Sequence, residues 1–153
     1  MLSQVRGQIY CKGGVIVTQG DSLVPTSARA TLDTTTLDTR NADRDKDLRD
    51  NYFKVDQYPT MTFASTKITP GKGQEFSMTG NLTVNTVTKP VTFDAEVAGS
   101  VIDARGQKHV AYSAHTVVDR RELGMDKMTP IPTGGLVVGT DVDITLQLEA
   151  IAQ

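Results

Sequence analysis

The side chains with the most chemical reach in this chain lie in the run Arg40 to Asp50, RNADRDKDLRD, and at Arg120. Arg44, Arg49 and Arg120 carry planar guanidinium forks that can bind an anionic head group with two parallel hydrogen bonds. The competing reading is internal: Arg44, Asp45, Arg49 and Arg120 pair among themselves and brace a rim. His109 and His115 stand six residues apart with no third ligand in view, so no metal site is read from them. Ser65 and Ser113 lack the G-x-S-x-G elbow that would expose a nucleophile, so catalysis has no local support. Thr83, Thr88 and Ser113 offer the same choice as the arginines, between contacting a ligand and bonding within the sheet.

The elements that must position these residues are β-strands. Hydrophobic residues make up 38% of the chain and aromatics 5%, while Thr and Val recur throughout, which favours strands over helices. Ala28, Ala30 and Leu32 alternate with Arg29, Thr31 and Asp33. The same period of two runs through Thr60 to Ile68, through Phe76, Met78, Gly80, Leu82 and Val84, through Val91, Phe93, Ala95 and Val97, through Tyr112, Ala114, Thr116 and Val118, and through Val138 to Leu148. Val5 to Tyr10 and Val15 to Thr18 read as two strands parted by a turn at Gly13-Gly14, and Gly20-Asp21 makes the next turn. Asn41 and Asp43 can cap a helix of two or three turns through Leu48 and Arg49, which Tyr58-Pro59 ends. Pro70 to Gly73 and Asp103 to Gly106 are turns, and Asn85 to Pro90 reads as a polar link. The chain at 153 residues fits a single domain over 1–153, and short strands joined by turns imply an antiparallel meander. Small inward residues (Ala28, Ala30, Gly80, Ala95, Ala114) favour a barrel with central room over a packed sandwich.

Net charge is −2 with both signs interspersed, which offers no field for nucleic acid or an anionic membrane. The single cysteine, Cys11, excludes an intrachain disulfide and suits a reducing compartment. No stretch is apolar enough to span a bilayer and the N-terminus has no apolar signal core. As written the expectation is a cytoplasmic protein, or a periplasmic or secreted one if the natural N-terminus is longer.

Thr36-Leu37-Asp38-Thr39, Arg44-Asp45-Lys46-Asp47-Leu48-Arg49, Phe53-Lys54-Val55 and Tyr58-Pro59-Thr60-Met61-Thr62-Phe63-Ala64-Ser65-Thr66 form an ordered set of motifs. So do Gly80-Asn81-Leu82-Thr83-Val84 with Val87-Thr88-Lys89-Pro90-Val91, Tyr112-Ser113-Ala114 with Asp119-Arg120-Arg121-Glu122-Leu123-Gly124, and Val138-Gly139-Thr140-Asp141-Val142. Together they resemble the YceI-like family from Val5 to Ala150. The resemblance implies an all-β, lipocalin-like antiparallel barrel with a short helical crossover. Its expected ligand is an isoprenoid-type lipid, such as a polyprenyl chain, an isoprenoid quinone or a polyprenyl pyrophosphate, held in an elongated apolar pocket. Family members are binding, transport or storage proteins and not established enzymes, need no cofactor beyond the lipid, and are commonly homodimers. Two departures stand out. The family carries a further aromatic-led strand ahead of the V-R-G seen here at Val5-Arg6-Gly7, and its absence would leave an open seam with unpaired edge groups that another subunit could cover. Asn85-Thr86 also stands where the family turn has Gly.

On this reading the ligand-binding residues are Phe53, Tyr58, Met61, Phe63, Met78, Leu82, Phe93, Tyr112 and Ala114 on inward faces, with Phe76 beside them. Met125, Met128 and Leu136, with Ile131, would form an adaptable lip at the mouth, and Arg44 and Arg49 would meet a head group. Ordinary core packing, or a plain surface loop for the lip, is the alternative for each. Two rivals remain. One is an enzyme on a lipophilic substrate using Arg44, Asp45 and Arg120. The other is a filled barrel that recruits a partner along an open edge, favoured by a cavity too small for an alkyl chain beside a long unpaired first strand.

Overall fold

The computed structural model describes residues 6–125 and 139–153. Seven strands form one antiparallel sheet in sequence order: β1 (Gln8–Thr18), β2 (Pro25–Asp38), β3 (Thr60–Pro70), β4 (Glu75–Val84), β5 (Val87–Ile102), β6 (Lys108–Asp119) and β7 (Asp141–Ile151). The sheet curls into a nearly closed barrel, as the alternation predicts. Among the described residues β1 and β7 have no ladder to each other, so a seam runs between the two edge strands. Among the described residues no helix is long and apolar enough to cross a membrane.

The interior is built from every second residue. Phe76, Met78, Gly80, Leu82 and Val84 alternate with more exposed neighbours along β4, and Phe93 and Ala95 on β5 and Val110, Tyr112 and Ala114 on β6 are buried in the same way. Gly80 is required by crowding. A Cβ there would stand 2.5 Å from the Ala64 carbonyl oxygen and against the Phe63 ring edge, 2.7 Å from its Cε2 and nearer still to its Cζ. Phe63 in turn meets Phe93 edge-on with centroids 5.4 Å apart, a favoured aromatic geometry.

The structure corrects three expectations. Gly13-Gly14 is no turn, and β1 continues through it. A Cβ at Gly14 would stand 2.5 Å from the Arg29 carbonyl oxygen of β2, so this glycine serves strand contact, beside a register shift between Cys11 and Gly13. Asn85 to Pro90 is no extended link either. Asn85-Thr86 alone turns the chain, with Asn85 in the left-handed region (φ 55°), and β5 begins at Val87. Pro90 is tolerated in β5 because the β5–β6 ladder begins only at Asp94 opposite His115, so no β6 partner lies opposite it.

The third correction concerns the crossover between β2 and β3. α1 (Ala42–Asp47) starts as expected, with the Asn41 side chain accepting from the Arg44 N–H at 3.0 Å. It passes into a wider helical turn over Leu48–Phe53 and stops at Lys54, whose left-handed φ of 51° ends it before Tyr58-Pro59. Asp43 makes no cap.

Candidate functional site

Inward residues of six strands converge on an apolar cavity of about 30 Å³. Ile16 of β1, Pro25 and Ala28 of β2, Phe76 and Met78 of β4, Ala95 of β5, Tyr112 and Ala114 of β6, and Leu146 and Leu148 of β7 wall it, with Ser113 at the margin. Ligand pockets usually enclose roughly 300–1,000 Å³, so this cavity is far too small in this conformation for a guest of that size. A larger cleft of about 270 Å³ lies where β5 and β6 part. It is bordered by polar and charged groups including Lys89, Thr92, Asp119 and Glu122, which suit an apolar guest poorly.

Tyr112 brings one of two hydroxyl-bearing side chains, with Ser113, to the apolar cavity. Its ring packs edge-on to Phe76 with centroids 6.4 Å apart, and its hydroxyl donates to the Leu23 carbonyl at 2.7 Å. Burial pushes the Tyr112 phenol above its ordinary pKa. The opposite end of the barrel is plugged by Tyr52, Leu123 and Met125, all buried. Arg120, also buried, lies over the Tyr52 ring at 5.7 Å and donates to the backbone carbonyls of Gly139 and Met125. Among the described residues the buried Tyr52 hydroxyl has no hydrogen-bond partner.

The charged run forms a rim. Asp45 accepts from both the N–H and the hydroxyl of Thr39, while Arg44 donates to the Thr39 hydroxyl at 2.9 Å and its carbonyl at 2.8 Å. The Thr39 hydroxyl bond holds the Asp45 carboxyl below its ordinary pKa, against an upward push from burial and with help from Arg49 and Arg44. Arg49 donates to the Leu37 carbonyl at 2.9 Å. These contacts stitch the crossover to the end of β2.

At the far end His109 of β6 sits between Asp103 of the β5–β6 turn (2.8 Å) and Glu149 of β7 (2.6 Å). Both bonds raise the His109 pKa, that to Asp103 most, and the same bond lowers the Asp103 pKa. His115 pairs separately with Asp143 at 3.2 Å. Among the described residues no group of three or more His, Cys, Asp or Glu could hold a metal ion.

The expected ligand residues therefore separate. Met78, Tyr112 and Ala114 are on the cavity wall. Phe63, Leu82, Phe93 and Met125 are buried in the core, with Phe53 and Met61 partly buried against it. Tyr58 is half-buried, and its carbonyl accepts from Thr34 at 3.1 Å. Arg44 and Arg49 are spent on the rim. Met128, Ile131 and Leu136 lie outside the described residues. Sequence reasoning missed Ile16, Pro25, Leu146 and Leu148 as wall residues, although alternation along the last strand already set Leu146 and Leu148 on one face. It also missed Tyr52, hidden in a charged stretch.

A family model described as the YceI-like domain matches residues 1–150. The UPF0312 protein Ent638_1570 of Enterobacter sp. (strain 638) is 35% identical over 124 residues, covering 80% of this chain and 61% of that protein. The chain thus spans about three fifths of the length of the curated relatives it matches. The crystal structure of the Campylobacter jejuni YCEI protein superposes with a TM-score of 0.87 at 26% identity, over 100% of this chain and 88% of that one. A polyisoprenoid-binding domain from Saccharophagus degradans, implicated in plant cell wall breakdown, shares the fold with a TM-score of 0.53 at 13% identity, over 84% of this chain and 77% of that one.

Proposed function

Because the chain belongs to the YceI-like family, we propose that it binds an isoprenoid-type lipid inside its barrel, for transport or storage. The observation that carries this reading is the cavity wall, aliphatic or aromatic apart from Tyr112 and Ser113. A prenyl chain offers its host only dispersion and apolar burial, worth about 0.8 kcal/mol per buried methylene, and such a wall supplies both. The Saccharophagus domain, a polyisoprenoid binder with the same fold, supports the ligand class.

At about 30 Å³ the cavity must widen to admit a chain. The seam between β1 and β7 is the natural place, since wall residues Ile16, Leu146 and Leu148 belong to those two edge strands. A second copy of the chain is the partner we assign to these open edges, as a homodimer.

A second reading has an observation behind it: a small cavity beside the eleven-residue β1, whose outer edge is unpaired among the described residues, also suits a filled barrel that recruits a partner by strand addition. One experiment separates the two. Protein purified without added lipid is extracted with organic solvent, and the extract is weighed by mass spectrometry beside native spectra of the intact protein. The lipid reading expects a prenyl-type mass at near-stoichiometric yield. Repeated recovery of empty protein that also refuses added polyprenol overturns it in favour of the partner-recruiting barrel.

A further inference from the structure

The Tyr112 hydroxyl is tied to a segment that borders the cavity. Its partner, the Leu23 carbonyl, is 89 residues away in the connection between β1 and β2. β6 lies one strand in from the seam on the β7 side and this connection leaves the β1 side, so the bond reaches across the cavity end of the barrel between the two. Apart from this bond the connection is held mainly by apolar packing, with Leu23 and Val24 half-buried against the core. Gly20 and Asp21 turn it in solvent, Gly20 with φ 64°, and Ser22 accepts from the nearby Val24 N–H at 3.2 Å. Pro25 and Ile16, at the roots of the connection, are wall residues. Widening the cavity on this side therefore draws Leu23 away from Tyr112.

That movement leaves a phenol O–H against an apolar wall. A buried donor without a partner is costly, and the remaining wall offers little to replace it: Ser113 is the other hydroxyl at the margin, 3.4 Å from Glu96. Tyr112 itself stays in place, because its ring is packed on Phe76 and its backbone is in register with both β5 and β7.

We propose that Tyr112 is an exchangeable donor: it holds the Leu23 carbonyl while the cavity is shut and passes its hydrogen bond to the ligand when the cavity opens. The inference rests on the lipid-binding reading and narrows its ligand class. The favoured guest is an apolar chain ending in a neutral acceptor oxygen, as in an alcohol, ester or quinone carbonyl, in preference to a bare hydrocarbon of the same length. Burial keeps the phenol protonated, as a donor must be.

The test compares the full chain with its Tyr112→Phe variant, which retains the ring. Each is titrated with geranylgeraniol and with the hydrocarbon of the same carbon skeleton, and amide hydrogen exchange is followed across Gln19 to Val24. Unmodified protein should prefer the alcohol by about three- to tenfold, the worth of one hydrogen bond. Tyr112→Phe should bring the ratio near one by raising hydrocarbon affinity, since no bond to Leu23 is then lost on opening, and should speed exchange at Leu23 and Val24. If the unmodified protein takes both guests alike, or the variant keeps the preference, the exchangeable donor is wrong and the lipid reading survives. If neither guest binds the unmodified protein, the lipid reading fails and this inference falls with it. Unchanged exchange at Leu23 and Val24 overturns the tie to Leu23 whatever the guests do.

Discussion

The Phe63 ring fills the space that a side chain at Gly80 would need, and the Ala64 carbonyl closes it from the other side. Replacing Gly80 by Ala forces the β3–β4 ladder or the Phe63–Phe93 pair to shift. Overpacking of this kind costs about 1–3 kcal/mol. Urea unfolding of Gly80→Ala should show a midpoint lowered to match, and an unchanged midpoint would mean that the sheet yields there freely.

His109 makes stability depend on pH. Its folded pKa is raised by Asp103 and Glu149, so its contribution is complete below the ordinary histidine value of 6.5 and fades as pH climbs through the raised one. Asp103, with a depressed pKa, acts in the opposite sense and loses its share as pH falls below the ordinary carboxylate value. Melting temperatures of the native protein and His109→Gln, recorded from pH 5 to 9, should therefore converge toward the alkaline side. Parallel curves would show that the charge on His109 contributes nothing to stability.

Asp45 should behave as the anchor of the crossover. Asp45→Asn keeps the shape but weakens both bonds from Thr39 and the attraction of Arg44 and Arg49. The expected result is a melting temperature several degrees lower at pH 7. Because the carboxyl pKa is depressed in the fold, its contribution is present above the ordinary value of 3.8 and vanishes as pH drops through the depressed one. The variant's deficit should shrink accordingly in acid, which a pH series of thermal melts would read.

Filling the cavity separates binding from folding. Ala95 is 8% exposed on the wall, and Ala95→Leu adds more volume than the space readily accepts. The cost should remain within about 1–3 kcal/mol, while the lipid recovered by extraction falls by about tenfold, as the loss of a single methylene-scale fit predicts. Full lipid retention in a folded Ala95→Leu would place the guest elsewhere.

The later strands were legible because alternation alone defines them: Phe76 to Val84 and Ile144 to Leu148 need only a period of two. The first strand was not, because a glycine pair is the local signature of a turn, and only contact with Arg29 explains Gly14 inside β1. Pro90 misled for the same kind of reason, since its tolerance depends on where the β6 ladder begins. Within the site, Met78, Tyr112 and Ala114 could be read from the faces they share. The destination of Arg44 and Arg49 depended on how the crossover folds back onto Thr39 and Leu37, which spacing does not encode. The size of the cavity was likewise out of reach, because inward direction says nothing about how far Phe63 and Phe93 close the gap.

The strand count sets the polarity of anything added to the seam. Seven antiparallel strands in sequence order are an odd number, so β1 and β7 run the same way and could zip directly together only as a parallel pair. A single strand of opposite direction would pair antiparallel with both edges at once and make the number even. A two-fold related copy has a different geometry open to it: antiparallel addition joins like to like, β1 to β1 or β7 to β7, and so builds one continuous sheet through two barrels.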